Sequence, residues 1–448
     1  MDAPTGFFFR PGRQGEAMEH KGRRGGLCLF NTLGRRQERF RSREAGRVKM
    51  FTCGASIYGR PHIGNYRTFL HEDVLERYLE YRGYAVERGI NFTDVEDKSL
   101  AEASRRGVSL ADLTDPVAAR FRAECGELAI KLPAHIPRAS TTVDEAVRLI
   151  SLLLARGHAY YHDGDIFFDP LTVNGFGRLY GLDMARWPGN RKRFRQDTYP
   201  GQRWNLGDFI LWHGRCAEGA ESFCWHTELG PGRPAWNIQD PAIISKHLGP
   251  QVDICCGGID NLCRHHDYNL AIMEAASGLR PFARYWVHIA HVLINGRKMS
   301  KSRGNILYPD DLYARGVRPA ELRFFLIDGH YRRRIHFSES RLAAARERLA
   351  ALQRLAAAAM APVAAGAGGG RAAGSCITRL VRDFEAAMDD DCQVGRGVAA
   401  LQRHLARLVA LRHQGAFSGR DREKLARALG RIDSVLQVLL VTHVPARS

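Results

Sequence analysis

From Leu27 onward the chain alternates between short apolar runs and longer stretches with apolar residues at helical spacing. Residues 48–53 form an apolar run of strand length, and residues 54–64 form a turn-rich loop. Phe69, Leu70, Val74, Leu75, Tyr78 and Leu79 then share one helical face, and Gly83 marks a stop, which predicts a helix over residues 65–82. Residues 84–92 read as the next strand. Strand, loop, helix and strand in this order make a right-handed parallel unit, the seed of a doubly wound sheet. Strand-like segments return at 209–212, 252–255 and 287–294. After Leu322 the pattern is helical throughout, with Leu401, Leu405, Leu408 and Leu411 on one stripe that reads as core.

The predicted fold class is therefore α/β: a Rossmann-type doubly wound parallel sheet with an inserted segment and a C-terminal α-helical bundle. The sheet is assigned to residues 27–98 and 201–322, the insertion to 99–200 and the bundle to 323–448, with an Ala/Gly-rich linker at 356–374. Residues 1–26 are rich in Gly, Arg and Pro without periodicity, and they read as a disordered extension. Met18 or a later codon is an alternative start.

Composition narrows the class. Apolar residues are 45% and charged residues 25% of 448, the balance of a globular protein. No apolar run is long enough to span a bilayer, so no membrane partner is predicted. Phe7, Phe8 and Phe9 are cut off by Arg10 and Pro11, so no signal peptide is read, and a cytoplasmic monomer is the expectation. The ten cysteines lack CxxC pairs and read as reduced thiols, with one cluster, Cys255, Cys256 and Cys263 ahead of His265 and His266, set apart. A net charge of +18 fits an anionic partner such as nucleotide or nucleic acid. Only nine of the basic residues are Lys, so an Arg-rich coding bias explains the charge equally well.

Two motifs carry chemistry. Pro61-His62-Ile63-Gly64-Asn65 lies between a strand and a helix start. A helix N-terminus offers unpaired N–H groups to phosphate, Gly64 permits close backbone approach, and His62 can hydrogen-bond an oxygen that gains charge. A loop histidine packed on its helix is the plainer reading of that tetrad alone. The second motif, Lys298-Met299-Ser300-Lys301-Ser302, places two ammonium groups and two hydroxyls on one loop, a set that can neutralise departing pyrophosphate. In a Lys-poor chain this pentad is improbable by chance, and its position after the last strand, over two hundred residues beyond His62, strengthens the pairing.

Together these motifs resemble the HIGH and KMSKS signatures of class I aminoacyl-tRNA synthetases, and the surrounding text resembles the cysteinyl-tRNA synthetase family. Leu29-Phe30-Asn31-Thr32-Leu33, Thr93-Asp94-Val95-Glu96-Asp97-Lys98, Gly207-Asp208-Phe209-Ile210-Leu211-Trp212, Gly232-Arg233-Pro234-Ala235-Trp236 and Met388-Asp389-Asp390-Asp391 are similar to family motifs, over roughly residues 27–445. The resemblance implies ATP with Mg2+ as cofactor. It implies that His62, Gly64 and Asn65 handle phosphates, that Lys298 and Lys301 stabilise the transition state, and that Met299, Ser300 and Ser302 bind ATP. Gly257, Gly258 and Asp260 would approach adenosine, Thr93 the substrate amino group, and Trp236 would line the same pocket.

The departures bear on specificity. The family selects cysteine with zinc held by Cys, Cys, His and Glu; the matching positions here are Cys53, Asp240, His265 and Asn269. Cys53, Asp240 and His265 would remain as a three-ligand Zn2+ site, with Cys255 and Cys256 as alternative donors; loss of the metal is the competing expectation. The chain also stops at Ser448, where the synthetase continues into a small anticodon-binding domain; in this it resembles the mycothiol-pathway ligase, a short relative. The leading expectation is therefore amino-acid adenylation with transfer to a small-molecule amine or carrier. Charging of tRNA is the alternative, and a non-catalytic binding or regulatory protein is the second.

Overall fold

The computed structural model describes residues 26–182, 208–215, 223–299, 304–363 and 371–440. Ser300, Lys301 and Ser302, almost all of the expected N-terminal extension, the basic stretch Arg191–Arg195, Gly207 and the centre of the Ala/Gly-rich linker lie outside the described residues.

A hairpin of β1 (Cys28–Asn31) and β2 (Arg36–Arg39) precedes the unit β3 (Arg47–Thr52), α1 (Ile63–Tyr81) and β4 (Ala85–Ile90). Helices α2 (Asp97–Arg106), α3 (Leu110–Glu127) and α4 (Val143–Ala155) follow. Strands β5 (Ala159–His162), β6 (Asp165–Phe168), β7 (Phe209–His213), β8 (Trp225–Thr227) and β9 (Gly230–Pro234) make an antiparallel sheet in the order β5-β6-β7-β9-β8. The sequence pattern grouped 209–234 with the nucleotide-binding sheet. In the fold those strands pair with β5 and β6 from the other side of residue 200, because Phe168 and Phe209 share register and stack at 4.9 Å.

The chain then returns through α5 (Trp236–His247), β10 (Val252–Gly258), α6 (Asp267–Ser277) and β11 (Ala283–Ile289). The central sheet is parallel throughout, in the order β11-β10-β3-β4. It is covered on both faces: Met50 and Cys256 enter one core, while Phe51 and Cys255 enter the other. That is why its strands read as continuous apolar runs rather than alternating ones. The run 287–294 is divided at Ala290 and His291 into β11 and β12 (Val292–Ile294), which belong to different sheets. β12 lies between β13 (Arg297–Lys298) and β14 (Ile335–Phe337).

After α7 (Pro309–Tyr313) and α8 (Pro319–Ile327), the helices α9 (Glu339–Met360), α10 (Arg371–Asp389), α11 (Val394–His413) and α12 (Gly419–Leu436) form a bundle, with α10 against α11 and α12. Leu401, Leu405 and Leu408 are fully buried there and Leu411 is half-buried. Among the described residues no helix is long and apolar enough to cross a membrane.

This topology fixes where a ligand belongs. From β3 the chain goes to β4 on one side, and β10 occupies the other side, so the strand order reverses between β3 and β10. In open α/β sheets the crevice beyond the C-terminal ends at such a point is the binding position.

Candidate active site at the switch point

His62 begins α1 as its N-cap, with an extended backbone and a side chain that accepts from the first turn. Gly64 N and Asn65 N donate to its Nδ1 at 3.1 and 3.3 Å, while Asn65 Oδ1 accepts from His62 N at 3.0 Å. This reciprocal cap is the reason the helix begins there. It also sets the tautomer: an Nδ1 that accepts leaves the proton of the neutral ring on Nε2, so Nε2–H is a donor. A methyl group on Gly64 would lie 2.9 Å from the His62 ring and 2.7 Å from the flexible end of Met299, so any larger residue would push on the capping imidazole.

Met299 is buried, and Leu307 O accepts from Ile63 N at 3.0 Å. The residues on either side of the second half of the Lys pentad are thus seated on the His62 loop. Lys298 reaches across to Asp260, Nζ to Oδ2 2.7 Å. Asp260 follows β10 and Gly258; burial opposes its ionisation, but Lys298 and His291 hold its carboxyl below the usual range. Gly257 has its own steric reason, because a Cβ there would come within 2.8 Å of the His266 ring. His62, Gly64, Lys298, Met299, Gly257, Gly258 and Asp260 therefore gather at one crevice.

A second cluster lies at the end of β3. Cys53 is fully enclosed, its Sγ 3.3 Å from Asp240 Oδ2 and 2.8 Å from His266 Nε2. His265 Nε2 is 2.8 Å from the same Asp240 oxygen, and Asn269 Nδ2 donates to it at 3.3 Å. The cluster extends backwards from His266 Nδ1 to His288 Nε2 at 2.8 Å, and from His288 Nδ1 to Thr32 Oγ1 at 2.8 Å. Trp236 stacks on His265 with ring centres 4.1 Å apart. Thr93, nearly buried, accepts from Asn91 Nδ2 at 3.0 Å.

The sequence singled out Cys53, Asp240 and His265, and the fold brings the three together. Sequence reasoning missed His266, which with Cys53 and His265 makes the group of donors that lie close to one another, while Asp240 touches Cys53 and His265. Two adjacent residues on a regular helix diverge by about 100°. Here the turn Leu262–His266 departs from helical geometry, with Cys263 at ψ 128° and Arg264 at φ 73°, and both imidazoles turn inward. The adjacent histidine pair was the available signal; the kink that aims both was not legible. Cys255 and Cys256, the alternative donors, point to opposite faces of β10 and lie in separate cores.

The donor set suits a metal ion. The ligating atoms of Cys53, His265 and His266 lie within 4.8 Å of one another. Donors around a tetrahedral zinc sit about 3.3–3.8 Å apart, so a small expansion of this cluster accommodates one. Burial, then the neighbouring Asp240, push the Cys53 thiol well above its ordinary range, so a thiolate here needs a cation. His265 Nδ1 and Asn269 Oδ1 are also buried without a hydrogen-bond partner among the described residues, polar capacity that a bound group or substrate would meet.

Comparison with known proteins gives this arrangement a class. The fold is similar to Mycobacterium tuberculosis methionyl-tRNA synthetase bound by methionyl-adenylate, with a TM-score of 0.64, 16% identity and coverage of 87% of this chain and 92% of that one. At that identity the likeness concerns the fold alone. The class comes from the profile described as tRNA synthetases class I (C) catalytic domain, which matches residues 39–347. The cysteine--tRNA ligase of Chlamydia pneumoniae is 34% identical over 418 residues, covering 93% of this chain and 87% of its own length. That of Symbiobacterium thermophilum is 36% identical over 384 residues, covering 84% and 80%. The chain belongs to the cysteinyl-tRNA synthetase family and is a ligase of the aminoacyl-tRNA synthetase type.

Proposed function

We propose that the protein uses ATP and Mg2+ to activate cysteine as its adenylate and then transfers the acyl group to tRNA. The tRNA acceptor replaces the small-molecule amine or carrier as the leading reading. Its relatives, matched over most of their own length, are tRNA ligases, and none of these matches supports the amine. The observation that carries the adenylation is the crevice at the β3/β10 switch point, where the N-terminus of α1, capped by His62, lies against Met299, the neighbour of the Lys298 that pairs with Asp260.

In this reading the amino-acid carboxylate attacks the α-phosphorus and pyrophosphate departs. His62 Nε2–H and the N-terminus of α1, at Gly64 and Asn65, donate to phosphate oxygens as negative charge accumulates. Lys298, with Lys301 and the hydroxyls of Ser300 and Ser302, neutralises the leaving pyrophosphate. Asp260, released from Lys298, accepts from the ribose hydroxyls beside Gly257 and Gly258. Thr93 and Trp236 border the amino-acid pocket. No side chain acts as nucleophile, so positioning and charge carry the step.

Cys53, Asp240, His265 and His266 would hold zinc, which when bound supplies a soft Lewis acid for a substrate thiol and so a basis for preferring cysteine over serine. His288 and Thr32 would orient His266 from behind. ATP–pyrophosphate exchange across the amino acids, followed by charging of tRNA and of small amines, tests the reading. Exchange with cysteine and acylated tRNA are expected. No exchange with any amino acid would exclude adenylation, and exchange with acylation of an amine but not of tRNA would return the acceptor to the first expectation.

A further inference from the structure

One ionic cluster beside the crevice takes no part in that chemistry. Glu124 on α3 is fully buried, yet its carboxylate accepts from Arg60 Nε at 2.9 Å, from Arg120 Nε at 3.0 Å and from the Tyr66 hydroxyl. Arg60 Nη2 also donates to Asp310 Oδ2 at 2.6 Å, and Arg120 donates to the other oxygen of Asp310. The Arg60 guanidinium lies 5.1 Å from the ring centre of Tyr308. Of these charged groups only Glu124 is out of water, and two guanidinium groups and a hydroxyl meet its charge, which is the condition for burying a carboxylate.

The segments joined are specific. Arg60 is two residues before His62. Asp310 sits in the first turn of α7, which begins shortly after the Lys pentad, and Leu307 O takes the amide of Ile63 at 3.0 Å. A planar guanidinium with several fixed donors bridges two carboxylates and stacks on an aromatic ring in one geometry, which an ammonium cannot do.

We propose that Arg60 is a positioning residue that clamps the segment Leu307–Asp310 to the loop carrying His62, so that the two phosphate-handling segments keep a fixed separation. The catalytic consequence rests on the adenylation reading; the clamp itself does not. Removing Arg60 leaves the buried Glu124 with Arg120 and Tyr66, and leaves the half-exposed Asp310 with Arg120, so the fold retains partners for both carboxylates. What is lost is the register between the two segments.

Arg60→Met, Arg60→Lys, Asp310→Asn and the Arg60→Met/Asp310→Asn double variant test this through two readouts. In ATP–pyrophosphate exchange, Arg60→Met should lower kcat by roughly ten- to a hundredfold, the scale of a misplacement of about 1 Å. The KM for the amino acid should stay within about twofold, since that pocket is not touched. Arg60→Lys should recover only part of the loss, and the double variant should be no worse than Arg60→Met, the mark of two groups acting as one contact.

The second readout is amide hydrogen exchange over residues 304–313, where Arg60→Met should speed exchange locally and leave the rest of the chain at its wild-type rate. Exchange that is unchanged there, or faster everywhere to the same extent, would overturn the clamp. If the wild-type protein shows no pyrophosphate exchange with any amino acid, the adenylation reading fails. The amide measurement then still decides the clamp on its own.

Discussion

At the scale of single residues, His62 serves two purposes through its two ring nitrogens. Nδ1 caps α1, and Nε2–H is the group proposed to donate to phosphate, so one substitution can separate fold from chemistry. His62→Ala removes both and should lower stability by about 1 kcal/mol through the lost cap. His62→Asn restores a good cap without the reach of the imidazole. Its melting temperature should return towards wild type, while pyrophosphate exchange stays down by roughly a hundredfold. Recovery of both together would mean that the cap alone explains the residue.

The metal quartet makes a second prediction at this scale. Co2+ titrated into metal-free protein should give the intense near-ultraviolet band of a sulfur-to-metal transition. Cys53→Ser should abolish the band, and His266→Ala should weaken Co2+ affinity by at least about tenfold. His288→Ala, acting from behind His266, should cost roughly ten- to a hundredfold. A His266→Ala protein that takes up cobalt with wild-type affinity would return the site to Cys53, Asp240 and His265.

At the scale of elements, the β3–α1–β4 unit was the most legible part of the chain. The predicted helix over 65–82 appears as α1 over Ile63–Tyr81; it starts two residues earlier because His62 is the cap rather than a loop residue. Where sequence and fold diverge, the cause is long-range pairing. The run 287–294 is uniformly apolar, and only the different partners of β11 and β12 divide it. The phenylalanine stack that draws β7 to β6 is invisible to local periodicity.

The same unit carries a charge that pattern alone could not place. Glu72 sits on α1 among core residues, and neither of its carboxylate oxygens has a hydrogen-bond partner among the described residues. Burial raises its pKa to about 8, against the pull of Arg88. The folded state therefore keeps Glu72 protonated over a range in which the unfolded chain, with a carboxyl near its ordinary value, has released the proton. Stability is fully present below the unfolded pKa and declines as pH rises towards 8, levelling off above it. The ceiling on this loss is on the order of 5 kcal/mol, because a tenfold change in proton affinity between the two states corresponds to about 1.4 kcal/mol. Glu72→Gln should remove the dependence: its melting temperature, compared with wild type, should gain steadily from pH 5 to pH 8 and no further. A constant difference across that range would mean that Glu72 titrates normally.

At the scale of the whole molecule, the net charge of +18 carried two readings, an anionic partner or a coding bias. The proposed tRNA acceptor allows them to be separated, because adenylation and acyl transfer respond differently to salt. In the proposal ATP meets a few groups at the switch point, Lys298 and Asp260 among them, whereas tRNA would spread its contacts over many exposed residues such as Arg403 and Arg407 on α11 and Lys424 and Arg427 on α12. Exposed charges are screened within about 10 Å at 0.1 M salt. Neutralising about four phosphates would make the KM for tRNA rise roughly a hundredfold between 50 and 200 mM salt, while the KM for ATP in the exchange reaction changes far less. Lys424→Glu with Arg427→Glu should flatten that dependence and weaken charging while leaving exchange at wild-type rate, because these positions are remote in the chain from the crevice and belong to the bundle. If the two reactions shift in parallel with salt, or the double variant charges tRNA as wild type does, then Lys424 and Arg427 on α12 do not meet tRNA, and coding bias is the reading left for their charge.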